Sequence, residues 1–323
     1  MSADSATDVL LKSAAAGNSA AVARLITVAE VTPETLAARV WQSGRRAHVI
    51  GVTGSPGTGK STLTSELIRS LRADDHRVAV LAVDPSSKRT GGAILGDRIR
   101  MGGHVLDGQV FIRSVATRGS AGGLSATVPL AVRTLEACGF THVIIETVGV
   151  GQIEIDIATY ADTVCVVVHP RWGDTIQANK AGIVEIADVF VVNKADLDGA
   201  QQAVADLGSA LEYPPLPPDS WRPPIVETIA TNGRGIDELR REIDHHRAYL
   251  GNDDGARLEQ RRTQRTRDLL ASLVAGRLDE LRDEVTASAA FADQIAAIHS
   301  GVTDPWSSLR AVLGSITLDA PRN

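Results

Sequence analysis

From His48 to Ala230 the chain alternates short apolar runs with helical stretches. The runs are HVIGVTG (48–54), RVAVLAVD (77–84), QVFIRSV (109–115), THVIIETV (141–148), TVCVVVH (163–169), DVFVVNKAD (188–196) and PIVETIA (224–230). Several are apolar at consecutive rather than alternating positions, the pattern of strands covered on both faces. They predict an α/β fold with a mostly parallel central sheet flanked by helices. Before the first run, VLLKSAAAGNSAAVARLI (9–26) and PETLAARVW (33–41) are rich in Ala and Leu and read as helical, with Pro33 suited to a helix start. Beyond Gly255 a long charged stretch carries Leu269, Leu270, Leu273, Val274, Leu278 and Leu281 at helical spacing. TDPWSSLRAVL (303–313) then starts a last helix, capped by Thr303 or Asp304. The pattern divides the chain into an N-terminal helical arm (1–45), an α/β domain (46–250) and a C-terminal helical extension (251–323). EYPPLPPDSWRPP (212–224) reads as a proline-rich surface loop.

Composition narrows the picture. With 323 residues, 43% of them hydrophobic, the chain can bury a full core. A formal charge of -6 excludes broad electrostatic capture of nucleic acid or of an anionic membrane. Cys138 and Cys165 are the only cysteines, too few for a disulfide framework, and read as small buried hydrophobes of a protein in a reducing cytoplasm. No window approaches the length of a membrane span, and the first residues lack the basic and apolar regions of a secretion signal.

The chemistry-bearing motifs sit at strand ends. GSPGTGKST (54–62) follows the first strand and precedes a helix, as a phosphate-binding P-loop requires. In it Gly54, Ser55, Pro56, Gly57, Thr58, Gly59 and Thr62 form the cradle. The glycines let backbone N–H groups wrap phosphates, Lys60 reaches the β- and γ-phosphates, and the Ser61 hydroxyl is offered to Mg²⁺. NKAD (193–196) follows the sixth run. Asp196 can accept from the N1–H and 2-amino groups of guanine, donors that adenine lacks on that edge, so the nucleotide should be GTP. Asn193 would brace base and loop, and the Lys194 stem would cover the ring. Thr231, in the turn IATNGRG, either meets the guanine oxygen or belongs to a plain turn.

Together GSPGTGKST, DPSSKRTGGAILGDRIRM (84–101), FIRSVATRGSAGGLS (111–125), ETVGVGQ (146–152) and NKAD resemble the methylmalonyl-CoA mutase-associated GTPases, also called lysine/arginine/ornithine transport kinases, a P-loop family of the SIMIBI class. The likeness runs in order over about residues 45–250. It implies that Glu146 replaces the usual aspartate of the third motif and approaches the Mg²⁺ shell, and that the Gly149 N–H senses the γ-phosphate. Asp84 and Asp97 match acidic positions used for magnesium and water; either could instead cap a helix. Glu146 could equally be a strand-end carboxylate with another partner. Val150 stands where many small GTPases place the glutamine that orients water, which implies slow hydrolysis until a partner or dimer contact completes the site, with Arg98, Arg100, Arg113 and Arg118 as candidate arginines. In HPRWGDTIQANKAG (169–182), Asp174 and Lys180 fall on charged positions of a segment that couples nucleotide state to the mutase; Asp174 could also be an ordinary helix start. The resemblance further implies GTP and GDP as ligands, a homodimer, and an adenosylcobalamin-dependent acyl-CoA mutase as partner, methylmalonyl-CoA mutase first. Nickel-inserting GTPases are a runner-up, but no Cys-x-x-Cys or His run is present. A kinase serving amino-acid transport is another.

Overall fold

The computed structural model describes residues 3–85, 102–104, 106–117, 127–147, 153–170, 185–212 and 220–314. Two compact units emerge, Met1–Asp268 and Leu269–Asn323.

In the first unit all seven apolar runs become strands: β1 (His48–Thr53), β2 (Val78–Pro85), β3 (Val110–Thr117), β4 (His142–Thr147), β5 (Thr163–Val168), β6 (Val189–Asn193) and β7 (Ile225–Thr228). They form one sheet in the order β3-β2-β4-β1-β5-β6-β7. Every ladder in it is parallel. The C-terminal ends of the strands therefore share one edge, and β1 lies between β4 and β5, the kind of crevice in which open α/β sheets hold ligands. The helices are α1 (Ala3–Ala15), α2 (Ser19–Val31), α3 (Glu34–Trp41), α4 (Lys60–Ala73), α5 (Thr127–Ala137), α6 (Ile153–Tyr160), α7 (Ala200–Leu211), α8 (Ile236–Gly251) and α9 (Ala256–Thr286).

Consecutive apolar residues suit strands buried on both faces, and both faces are covered. Leu63, Leu67 and Leu71 of α4 and Leu239 and Ile243 of α8 pack on Ile50, Val52 and Ile144. On the opposite face Leu25, Leu36, Leu135, Ile157 and Leu207 pack on Val49, Val143 and Ile145. The N-terminal helices thus belong to the layer that closes the sheet. The stretch 9–26 is two helices, not one. Gly17 takes φ +98° and the Asn18 side chain accepts from the N–H groups of Ala20 and Ala21, ending one helix and capping the next. Arg133 of α5 bonds Glu136 and the carbonyls of Val40 and Trp41, while Glu136 accepts from the Ala47 N–H, which fixes the end of α3. Arg113 on the edge strand β3 donates to the Ala23 carbonyl at 2.8 Å, to Thr27 Oγ1 at 3.1 Å and to Glu30 Oε2 at 2.7 Å. The arginine considered above for catalysis is therefore engaged in holding α2; Arg98, Arg100 and Arg118 lie outside the described residues.

The N-terminal edge of the sheet holds a buried polar network. His48 Nε2 and His246 Nδ1 each lie 2.9 Å from Thr163 Oγ1. Asp162 and Asp188 accept the N–H groups of Val49 and Val164, and Arg265 and Arg261 of α9 bond these two carboxylates. Burial, ahead of the neighbouring charges, lowers the histidine pKa values to about 3 for His48, about 4 for His246 and about 2 for His142. The folded state holds these rings neutral, whereas the unfolded chain takes up protons below pH of about 6.5. Their contribution is complete above that pH and falls as pH drops towards the folded values. Between pH 6.5 and 5, where most carboxylates remain ionised, each ring should cost up to about 2 kcal/mol. The melting temperature should therefore drop steadily over that interval; a flat profile in scanning fluorimetry would contradict neutral burial.

The second unit comprises the rest of α9, α10 (Ala289–His299), capped by Ser288, and α11 (Pro305–Gly314), whose first N–H groups bond Asp304. Asp304 thus resolves the two caps considered for that helix. Leu270, Leu273, Val274 and Leu278 of the helical stripe stand exposed, as do Trp306 and Leu309.

Candidate nucleotide site

At the C-terminal end of β1 the chain must leave the sheet beside β5 without a side chain in the way. Gly54 takes φ +138°, and a Cβ there would lie 2.1 Å from the Val167 carbonyl oxygen. The loop folds back through Thr58, whose hydroxyl donates to the Ser55 carbonyl at 3.0 Å. Gly59, at φ +92°, starts α4, and a Cβ there would meet Asn193 Nδ2 at 2.4 Å. The first turn of α4 leaves its N–H groups facing the loop, the arrangement that receives phosphate.

Lys60 opens α4 and is 7% exposed. Its ammonium donates to the carbonyls of Gly54 at 2.6 Å and Ser55 at 3.0 Å, so the charge is held inside the loop. Ser61 Oγ donates to Glu146 Oε1 at 2.6 Å. Glu146 belongs to the last residues of β4 and is 4% exposed. Its strand position turns it to the α4 face, the same face as Ile144. The start of α4 and the end of β4 thus bring together a hydroxyl and a carboxylate, the hard oxygen donors a magnesium ion takes alongside phosphate and water. Asp84 is the penultimate residue of β2, the strand next to β4, and is paired in register with Ala116 of β3. Asp97, Gly149, Asp174 and Lys180 lie outside the described residues.

Asn193 ends β6 and joins three segments. Its Nδ2 donates to the Thr58 carbonyl at 2.8 Å, and its Oδ1 accepts from Thr228 Oγ1 and from the Ala230 N–H, both at 3.1 Å. Lys194, at φ +59°, stretches across the loop so that its ammonium donates to the Gly57 carbonyl at 2.8 Å. Its stem thus runs beside the phosphate loop, and its charge has a partner that the motif alone does not reveal. Asp196 and Thr231 stand exposed on adjacent turns after β6 and β7. Thr228 and Ala230 are site residues missed by sequence reasoning, because nothing local marks a strand-end threonine as the partner of an asparagine 35 positions away.

One sheet edge therefore carries a phosphate loop, a carboxylate at its mouth and an amide–lysine pair that ties a second loop to the first. Residues 22–288 match the family described as methylmalonyl Co-A mutase-associated GTPase MeaB. The chain belongs to that family. A putative GTPase of Pyrococcus horikoshii is 43% identical over 317 residues, which cover 96% of this chain and 98% of that one. The mouse mitochondrial methylmalonic aciduria type A homolog is 38% identical over 208 residues, 62% of this chain and 50% of that one. A crystal structure of an LAO/AO transport system kinase superposes with a TM-score of 0.69 at 26% identity, covering 96% of this chain and 97% of that one. This MeaB-family chain is a P-loop GTPase that binds guanine nucleotide. Among its described residues no helix is long and apolar enough to cross a membrane.

Proposed function

We propose that this GTPase is a Mg²⁺-dependent switch that assists an adenosylcobalamin-dependent acyl-CoA mutase, methylmalonyl-CoA mutase first, in assembly, cofactor loading and protection. The observation that carries the reading is the contact of Ser61 with Glu146 at the mouth of a loop that Asn193 and Lys194 tie to the base-recognition turn. The family description names the mutase, and the mouse relative is named for methylmalonic aciduria.

In this reading the loop N–H groups and Lys60 hold the phosphates, Asp196 selects guanine, and Ser61 and Glu146 would hold the magnesium ion, with Asp84 and Asp97 as further carboxylates. The bound ion would neutralise charge on the β- and γ-phosphates. Gly149 reports the γ-phosphate, and Asp174 and Lys180 pass the state of the site to the mutase. Residues 46–250 do the nucleotide chemistry, the N-terminal helices within 1–45 close one face of their sheet, so that stretch is part of the same unit and not a free arm, and 251–323 dimerise the protein in the cytoplasm through the exposed Leu270, Leu273, Val274 and Leu278 stripe.

Single-turnover hydrolysis of GTP, with ATP as control, tests this for the protein alone and with purified methylmalonyl-CoA mutase. Val150 in place of a water-orienting glutamine leads to slow GTP-selective turnover alone and an increase of about 10³-fold or more if the partner completes the site with an arginine. Turnover already at its maximum without a partner would refute that dependence, and equal use of ATP would favour the kinase reading named for the LAO/AO relative.

A further inference from the structure

The β1–β4 ladder pairs residues through Val52 and Glu146 and goes no further. The next two residues, Thr53 and Thr147, are joined by their side chains: Thr147 Oγ1 donates to Thr53 Oγ1 at 2.9 Å, and both residues are 0% exposed. This bond joins the last residues of the two strands, beyond which β1 enters the phosphate loop at Gly54 and β4 ends at Thr147. It also lies on the opposite sheet face from the Glu146 carboxylate, because successive side chains alternate. That face is closed by α6, which sits so near that a Cβ on Gly51 would meet Ile157 Cδ1 at 2.9 Å and Ala161 Cβ at 3.0 Å.

The residue choice is informative on physical grounds. Valine has nearly the same shape and fits the same strand position, and valine or isoleucine fills half the positions of β1 and of β4. A buried hydroxyl costs free energy unless it is bonded, so a hydroxyl pair in an otherwise aliphatic layer adds directionality more than stability. Backbone pairing between β1 and β4 gives out at this level, while Thr53 still pairs with Val166 of β5 and Thr147 with Val83 of β2; the hydroxyl pair ties the two strand ends to each other, and their splaying would move Glu146 away from Ser61 and Lys60. We propose that Thr53 and Thr147 are positioning residues, a buried hydroxyl clasp that holds the end of β4 against the end of β1 and thereby sets the Glu146 carboxylate over the phosphate loop. The proposal rests on the reading of this site as a GTP switch. Glu146 meets Ser61, the hydroxyl of the γ-phosphate side of the site, so the clasp should matter more for GTP than for GDP.

The full chain is compared with its Thr147→Val, Thr53→Val, double valine and Thr147→Ser forms. Binding of fluorescent GTP and GDP analogues, single-turnover hydrolysis and amide exchange in nucleotide-free protein are measured on each. The expected result for Thr147→Val is a loss of GTP over GDP preference of about 3- to 10-fold, the equivalent of one net hydrogen bond. Turnover should slow by a similar factor and exchange at 145–147 should quicken. Thr147→Ser, which keeps the hydroxyl, should recover all three, and the double variant should be no worse than either single, since the pair acts as a unit. Equal weakening of GTP and GDP, additive single effects, or failure of serine to rescue would overturn the clasp. If the unmodified protein binds no GTP, the switch reading fails, and the exchange data still judge the clasp: unchanged exchange in Thr147→Val overturns it.

Discussion

Replacing Lys60 by alanine should leave a folded protein whose GTP turnover falls by about 10²–10³-fold, the usual consequence of removing one preorganised positive group from developing phosphate charge. Lys60 is 7% exposed and its ammonium is fixed by two loop carbonyls, so it reaches a phosphate without first losing side-chain freedom. Its removal also leaves the Gly54 and Ser55 carbonyls converging without the cation, which should loosen the loop and weaken nucleotide binding. Single-turnover measurement over a range of GTP concentrations separates the two effects. A fall confined to affinity would make Lys60 an anchor only, and turnover within a few-fold of the original would remove it from the reaction altogether.

Asp196→Ala should abolish the preference for guanine. Two hydrogen bonds from a guanine edge to an ionised carboxylate are each worth about 1.5–3 kcal/mol, so the loss should weaken GTP by about 10²–10⁴-fold and leave ATP almost unaffected. Asp196 is exposed and Asn193, three positions before it, is riveted to Thr58, Thr228 and Ala230, so the truncation should leave the loop in shape. Competition of GTP and ATP against a fluorescent nucleotide checks this. Undiminished GTP preference would move base selection elsewhere, with Thr231 the next residue to test.

The strands were legible because burial on both faces demands unbroken apolar runs, and the phosphate loop was legible because glycines, lysine and serine must follow one another at fixed spacing. Asn193 and Asp196 could be read for the same reason. The contacts that finish the site could not. Thr53 and Thr147 look like any β-branched strand residues until the register brings them side by side, and that register depends on β4 inserting next to β1. Arg113 carries no local sign that it serves α2, since its three acceptors lie more than 80 positions away. His246 sits in a helix of charged residues, beside an exposed histidine, yet is fully buried because its helical phase matches that of Leu239, Ile243 and Leu250. The split of the first helical stretch at Gly17 and Asn18 was marked by residues that favour helix ends, but alanine on both sides hid the break.

The side chain of Asn193 bonds the phosphate loop with its amide nitrogen and the end of β7 and the turn after it with its oxygen, and Lys194 adds a second tie at Gly57. With the base read as proposed, the two ends of a nucleotide meet parts that cannot relax independently. Guanosine and inorganic triphosphate, offered as separate fragments, should therefore bind cooperatively, each more tightly when the other is present, because whichever arrives first rigidifies the ground on which the other must land.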